Sequence, residues 1–171
     1  MMRTLEERMM AEALAEARAA LDIGIFPVGA VLCVGEEIVG RAHKSMQSSE
    51  LHHAEMNLFH RVFDGSRSFA RTDGLALYTT LEPCIMCFGT LLHLPISRLV
   101  FAMEDAYGGC AAVRLDPSPS RHAARTIEIV GGTCREDARS LFRAFLDTTS
   151  ENFWKKGGAP EFQAAVRSMH G

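Results

Sequence analysis

The fold is indicated most strongly by one stretch near the middle of the chain, Leu77-Tyr-Thr-Thr-Leu-Glu-Pro-Cys-Ile-Met-Cys87. Its first half is apolar and rich in strand-forming residues, which predicts a buried strand over residues 75–80. The proline suits the first position of a helix, so we predict a helix over residues 83–94. Cys84 and Cys87 are three residues apart, which places them on one face of that helix, in its first turn.

The segments on either side of this stretch predict a layered α/β domain. Apolar periodicity and turn residues predict helices over residues 4–21, 53–63 and 135–156, a last short helix after Pro160, and strands over residues 28–34, 38–42, 98–103 and 126–130. Strands that alternate with helices favour a central sheet. The chain has 171 residues, enough to bury a substantial core, and we expect residues 1–171 to form a single domain.

The composition excludes several classes of protein. Hydrophobic residues make up 47% of the chain and charged residues 23%, which argues against a disordered tail, a fibrous repeat or a coiled coil. No apolar run is long enough to span a bilayer, and the acidic N-terminal stretch is unlike a signal peptide. We therefore expect a cytoplasmic protein with no membrane partner. The net charge of −3 gives no support to nucleic acid as a bulk electrostatic partner.

The five cysteines indicate metal or redox chemistry and argue against a disulfide framework. Their number is odd and only Cys84 and Cys87 are closely spaced. Thioredoxin-like redox chemistry would place its C-x-x-C soon after the first strand, whereas this pair follows at least three predicted strands. A structural zinc site would need a fourth protein ligand, for which His43, His52 and Cys110 are candidates.

A second motif, His53-Ala54-Glu55, stands 31 positions before Cys84 (84 − 53). H-x-E followed by P-C-x-x-C is the pattern of zinc deaminases that act on bases. Two thiolates and one imidazole make three ligands for tetrahedral zinc and leave the fourth position to water, whose pKa falls from about 16 to about 7. Glu55 would then move the proton of that water. Residues i and i+2 do not share a helix face, so we expect His53 at the very start of its helix.

Four stretches of the chain resemble the cytidine deaminase-like superfamily, in its branch of tRNA adenosine deaminases, bacterial guanine deaminases and fungal-type cytosine deaminases. They are Phe26-Pro-Val-Gly-Ala-Val31, His53-Ala-Glu55, the stretch that ends at Cys87, and Arg98-Leu-Val-Phe101. The resemblance implies a three-layer α/β/α fold with a central five-stranded mixed sheet. It also implies hydrolytic deamination with release of ammonia, one Zn²⁺ per chain and a homodimer.

The matching motifs also imply roles for individual residues. His53, Cys84 and Cys87 would hold the zinc, and Glu55 would be the catalytic proton carrier. The substrate-binding candidates are Phe26, Val28, His43, Leu81, Glu82, Glu104, Asp105, Phe153 and Trp154. Fungal-type cytosine deaminases carry an aromatic C-terminal segment over the pocket, so we expect residues 135–171 to form a helical segment that covers it.

Two departures from the family pattern bear on the substrate. The tRNA adenosine deaminases carry an asparagine after the second strand, whereas this chain has no asparagine there and His43 or Lys44 stands in roughly that place. The C-terminal residues 135–171 contain six Lys and Arg against five Asp and Glu, which is no basic footprint for RNA.

We therefore expect a zinc-dependent hydrolytic deaminase of a free nucleobase, nucleoside or related aminated heterocycle. A tRNA adenosine deaminase, which acts on adenosine to give inosine, is the first alternative. A non-catalytic zinc-binding subunit is the second alternative, and the presence of Glu55 counts against it.

Overall fold

The computed structural model describes residues 3–47, 49–65, 68–112 and 125–168. The helices are α1 (Leu5–Asp22), α2 (Ala54–Phe63), α3 (Ile85–His93), α4 (Arg135–Thr148), α5 (Asn152–Lys155) and α6 (Pro160–Arg167), with a 3₁₀ turn at Arg71–Asp73. The strands are β1 (Gly29–Val34), β2 (Glu37–His43), β3 (Leu75–Leu81), β4 (Ile96–Met103) and β5 (Glu128–Gly131). None of the helices described has both the length and the apolar character that crossing a bilayer requires.

The five strands form one mixed sheet in the order β2-β1-β3-β4-β5, which confirms the expected α/β class. β1 runs antiparallel to both of its neighbours, β2 and β3. β3, β4 and β5 run parallel to one another. β3 is the central strand and all of its residues are buried, so the sheet is covered on both faces at the point where the cysteine motif begins.

Two glycines show which helix covers which face of the sheet. A Cβ on Gly29 of β1 would come 2.1 Å from the carbonyl oxygen of Ala13 in α1. A Cβ on Gly40 of β2 would come 2.4 Å from Cγ2 of Val62 in α2. Gly40 pairs with Leu32 of β1, three residues after Gly29, and successive residues of a strand point to opposite faces. The helices α1 and α2 therefore lie on opposite sides of the sheet. The result is the expected three-layer arrangement, with α4 beside α1.

Most predicted elements are confirmed to within about two residues, and the start of α1 is confirmed in detail. The backbone N–H of Thr4 donates to Glu7 Oε2 at 2.8 Å, and the N–H of Glu7 donates to Thr4 Oγ1 at 3.2 Å. This reciprocal pair is the capping box that the sequence predicts.

The start of α3 differs from the prediction. The helix begins at Ile85, and Cys84 is its extended N-cap with ψ of 172°. Cys84 forms an isolated antiparallel bridge with Gly109, which keeps its backbone out of the helix and leaves Pro83 before the cap. The prediction that Pro83 is the first helical residue is therefore wrong, although Cys87 still falls in the first turn.

The prediction of one long helix over residues 135–156 is also wrong, because α4 ends at Thr148. The Thr148 hydroxyl donates to the carbonyl of Ala144 at 2.8 Å, Thr149 is extended with ψ of 139°, and its hydroxyl accepts from the N–H of Glu151 at 3.3 Å. Such side-chain bonds to the backbone compete with helix formation. After this break, Trp154 of α5 stacks on Phe26, which precedes β1.

Candidate metal centre and active-site pocket

The three predicted metal ligands meet where two helices begin. His53 is the N-cap of α2, and Cys84 is the N-cap of α3, with Cys87 one turn further on. His53 Nδ1 lies 3.5 Å from Cys84 Sγ and 3.6 Å from Cys87 Sγ, and the two sulfurs are 3.7 Å apart. The backbone of His53 is extended, with ψ of 154°, because this residue precedes the first turn of α2. Its side chain and that of Glu55 can therefore point toward the same site, although the two residues are only two positions apart.

The spacing of these donor atoms fits zinc. A tetrahedral ion with Zn–S of about 2.3 Å and Zn–N of about 2.05 Å places two sulfurs about 3.8 Å apart and each sulfur about 3.6 Å from the nitrogen. The observed separations, 3.7, 3.5 and 3.6 Å, match those values. Two thiols and one imidazole are also the donor set that zinc prefers.

No fourth protein ligand joins this group among the residues described. His43 Nδ1 is 2.8 Å from Glu16 Oε2, and His52 Nδ1 is 2.6 Å from the Ser49 hydroxyl. Cys110 belongs to the loop after β4 and stands outside the cluster. Three protein ligands leave one position for water, which is the arrangement of catalytic zinc sites and not of structural ones.

Glu55 lies beside the cluster and is almost fully buried, with 3% of its surface exposed. The hydroxyl of Thr79 on β3 donates to Glu55 Oε1 at 2.8 Å, and Oε2 lies 3.6 Å from Cys87 Sγ. Burial raises the pKa of this carboxyl above its usual value. A raised pKa lies closer to neutral pH, and a carboxyl with such a pKa can both accept and return a proton during the reaction.

The two thiols differ in their readiness to ionise. The hydrogen bond between the two sulfur atoms, together with the neighbouring His53, lowers the pKa of Cys84 to about 3. The same hydrogen bond and burial raise the pKa of Cys87. The hydrogen bond to Cys84 raises the pKa of His53. The pKa of Cys84 is thus shifted in the direction that favours the thiolate, which is the form in which cysteine binds a metal ion.

A pocket of about 550 Å³ opens onto the cluster. It is lined by seven of the predicted substrate-binding residues, namely Phe26, Val28, Leu81, Glu82, Asp105, Phe153 and Trp154. The volume lies in the range of small-molecule sites, and the mixture of apolar walls and few polar groups is typical of them.

Two predicted substrate-binding residues, His43 and Glu104, are not brought into the pocket. His43 points to the α1 face of β2, where it pairs with Glu16. Glu104 forms an ion pair with Arg135 at the start of α4. The side chain that enters the pocket from the end of β2 is Lys44, since neighbouring residues of an extended chain point to opposite sides.

Glu82 and Asp105 shape the pocket loop. Glu82 accepts from the backbone N–H of Asp105 at 3.1 Å and from that of Ala111 at 3.0 Å. Asp105 accepts from the N–H of Tyr107 at 3.0 Å, and burial raises the pKa of its carboxyl. The hydrogen-bonding capacity of Glu82 is largely used by the loop after β4, so Glu82 holds the wall in place.

Phe26, which precedes β1, and Trp154 of the C-terminal segment form an aromatic wall of the pocket. The ring of Trp154 stacks on Phe26 with centroids 5.1 Å apart and planes at 12°. Phe26 also contacts Phe142 and Phe145 of α4 at 5.2 and 5.3 Å. The predicted C-terminal segment thus reaches the pocket, and its role as a cover over bound substrate stays a prediction.

Sequence reasoning missed Gln47, Glu50 and Glu151, which also line the pocket. Gln47 accepts from the backbone N–H of Phe26 at 2.6 Å and so ties the loop after β2 to the aromatic wall. These residues stand in loops without periodicity, where the sequence carries no signal for the direction of a side chain. For Lys44, by contrast, the alternation of side chains along β2 indicates that its side chain and that of His43 point to opposite faces of the sheet.

Comparisons with known proteins agree with this geometry. The model of the cytidine and deoxycytidylate deaminase zinc-binding region matches residues 3–103. The tRNA-specific adenosine deaminase of Bacillus subtilis (strain 168) is 33% identical over 145 residues, which cover 84% of this chain and 89% of the relative. The enzyme of the same name from Haemophilus influenzae is 32% identical over 149 residues, covering 85% of this chain and 86% of the relative.

Solved structures show the same fold. A structure from work on A-to-I editing by tRNA:A34 deaminases has a TM-score of 0.65 at 27% identity and covers 78% of this chain and 98% of that one. The guanine deaminase of Nitrosomonas europaea has a TM-score of 0.61 at 22% identity and covers 81% of this chain and 83% of that one. At that identity the second likeness concerns the fold alone.

Proposed function

Since the chain belongs to the cytidine and deoxycytidylate deaminase family of zinc-dependent hydrolytic deaminases, we propose that its substrate is adenosine in transfer RNA, which it converts to inosine. The similarity to bacterial tRNA-specific adenosine deaminases, which extends over most of both chains, carries this proposal. The sequence taken alone favours a free base or nucleoside. The relatives favour the RNA substrate and so reverse that order.

We assign the roles of the site residues as follows. His53, Cys84 and Cys87 hold the zinc ion, which when bound supplies a water that is deprotonated near neutral pH. Glu55 takes the proton of this water and delivers it to the ring nitrogen next to the reacting carbon. The water oxygen bonds to that carbon as a hydroxyl. Glu55 then takes the second proton from this hydroxyl and passes it to the amino group, so that the C–N bond breaks, the carbonyl forms and ammonia leaves.

The apolar walls hold the base during this reaction. Phe26, Val28 and Leu81 offer a slot next to the cluster, with Trp154 as its aromatic side. A base that belongs to an RNA loop has to leave its stack to enter such a slot. Tyr107 and Phe153 line the pocket while 60% and 50% of their surfaces are exposed, so they offer ring faces on which neighbouring bases can stack.

A free aminated base is the second candidate substrate, and the charge of the pocket favours it. Glu50, Asp105 and Glu151 line the pocket, whereas Lys44 is the one lysine or arginine among the described lining residues. Carboxylates in the pocket lining repel phosphates, so they oppose an RNA backbone and do not oppose a neutral ring. The homodimer and the cytoplasmic location stay predictions.

The experiment that tests the proposal measures ammonia release from zinc-loaded protein with a panel of substrates. The panel contains an anticodon stem-loop with adenosine, the same stem-loop with guanosine as its control, and free adenosine, adenine, cytosine, guanine and amino-triazines. Ammonia from the adenosine stem-loop alone, at a rate that falls with salt, supports the proposal. Ammonia from a free ring without activity on the stem-loop replaces it with the second candidate. Silence on the whole panel refutes both substrates.

A further inference from the structure

Lys44 is a buried cation in the wall of the catalytic pocket. It follows the last residue of β2, only 8% of its surface is exposed, and it lines the same cavity as His53 and Glu55. Its backbone N–H donates to the carbonyl of Val28 at 3.0 Å, which continues the pairing of β2 with the start of β1. Lysine is rarely buried to this extent without a partner for its charge.

The described residues use only part of the hydrogen-bonding capacity of the Lys44 ammonium. Among them it donates one hydrogen bond, to the carbonyl of Ser49 at 3.0 Å, and no carboxylate forms an ion pair with it, although Glu50, Glu151 and Glu55 lie near enough to interact with its charge. An ammonium has three N–H donors, so two of them are not used by the described residues and can serve a molecule in the pocket. A buried donor without an acceptor costs free energy, and a ligand that supplies the acceptor recovers it.

Hydrogen bonds hold the chain on either side of Lys44 against the segment that precedes α2. The side-chain amide of Asn57 on α2 donates to the carbonyl of His43 at 2.9 Å, to the Ser45 hydroxyl at 3.0 Å and to the carbonyl of His52 at 3.3 Å. The N–H of Ser45 also donates to the carbonyl of His52 at 3.3 Å. The two ends of the loop are thus joined, and the backbone from which Lys44 projects has little freedom.

We propose that Lys44 determines which ring the pocket accepts, by donating a hydrogen bond to a ring nitrogen of the bound purine. Because an ammonium group can only donate hydrogen bonds, Lys44 favours a ring whose facing edge carries an acceptor nitrogen and no N–H group. A purine offers N3 and N7 as such acceptors, apart from the ring nitrogen next to the reacting carbon that Glu55 serves. This inference rests on the proposed purine substrate.

Binding measured through the fluorescence of Trp154 tests the contact without any need for turnover. Trp154 is the only tryptophan of the chain and lies in the pocket wall. Dissociation constants are measured for inosine, 3-deazainosine and 7-deazainosine with zinc-loaded wild type, Lys44→Met and Lys156→Met. Lys156 is an exposed lysine outside the pocket lining, so its variant controls for the loss of one charge. Zinc content and melting temperature confirm that each variant is folded.

We expect one of the two deaza rings to bind wild type about 10- to 100-fold more weakly than inosine, as the loss of a charged hydrogen bond requires. Lys44→Met binds inosine equally weakly and shows no further loss on that ring, and Lys156→Met behaves as wild type. The proposal is overturned if Lys44→Met weakens all three rings alike, if it stays as sensitive to the deaza changes as wild type, or if no purine binds.

The two proposals fail separately in these assays. Ammonia release from the panel above decides the reaction and its substrate. The dissociation constants of the three rings decide whether Lys44 contacts an acceptor nitrogen. A purine that binds through Lys44 without release of ammonia would refute the proposed reaction and leave the contact standing.

Discussion

Replacement of Glu55 by glutamine separates proton transfer from every other property of the site. Glutamine has nearly the same shape, and its amide oxygen can still accept the hydrogen bond that Thr79 donates to Oε1 at 2.8 Å. The amide cannot take up a proton near neutral pH. Glu55 is not part of the His53, Cys84 and Cys87 group, so we expect zinc binding to persist.

The size of the expected loss follows from this geometry. General acid–base catalysis by one positioned group contributes about 10²- to 10⁴-fold, which corresponds to about 3–5 kcal/mol of activation free energy. We expect the loss in kcat, because Glu55 is buried in the pocket lining with 3% of its surface exposed, whereas the apolar walls hold the ring. The free energy of unfolding changes by less than about 1 kcal/mol, since the bond to Thr79 is kept.

The assay compares ammonia release and zinc content of wild type, Glu55→Gln and Glu161→Gln. Glu161 lies on the exposed side of α6, away from the pocket, and its variant controls for the removal of one carboxylate. We expect full zinc content in all three proteins and activity in wild type and Glu161→Gln. A Glu55→Gln protein that retains more than a tenth of the wild-type rate refutes the proton-carrier role. Loss of zinc in this variant would show that Glu55 acts by supporting the metal site.

Three further perturbations have defined outcomes. Cys84→Ala lowers zinc per chain, measured by atomic emission, because it removes one of three ligands, and unchanged zinc would contradict the assignment. Trp154→Ala removes the ring stacked on Phe26, and we expect it to lower the free energy of unfolding by about 2 kcal/mol. Urea denaturation measures this change, and an unchanged value would show that this ring does not stabilise the fold. Burial raises the pKa of the Cys33 thiol from 9.0 to about 11, so its neutral form stabilises the fold below pH 9. Wild type should lose at most about 2.7 kcal/mol more than Cys33→Ala between pH 9 and 11, and equal losses would refute this.

Much of the fold could be predicted because local patterns and global structure agree. The capping box of Thr4 and Glu7 is present in the structure, and β3 is a buried strand as its apolar run predicts. The placement of His53 at a helix start followed from spacing alone, since an i, i+2 pair can converge on one point only there. These features are set by residues close to one another in the sequence.

The failures have three different physical causes, namely a contact distant in sequence, a competition between local hydrogen bonds, and the direction of side chains at the end of a strand. The start of α3 depends on the bridge between Cys84 and Gly109, which no local pattern encodes. The break after α4 depends on hydroxyl bonds of Thr148 and Thr149, whose effect on a helix is context-dependent. The side of β2 that faces the pocket depends on strand parity, and this is why Lys44 and not His43 lines it.

X-ray absorption at the zinc edge distinguishes a catalytic zinc site from a structural one, because it counts the ligands of the metal in the protein. We predict one zinc per chain with two sulfur scatterers at about 2.3 Å and two lighter scatterers at about 2.0–2.1 Å, one from His53 and one from water. A first shell in which the lighter scatterers are two histidines, or in which a third sulfur replaces the water, would show a closed structural site. That result would contradict the assignment of His53, Cys84 and Cys87 as the ligands of a catalytic zinc.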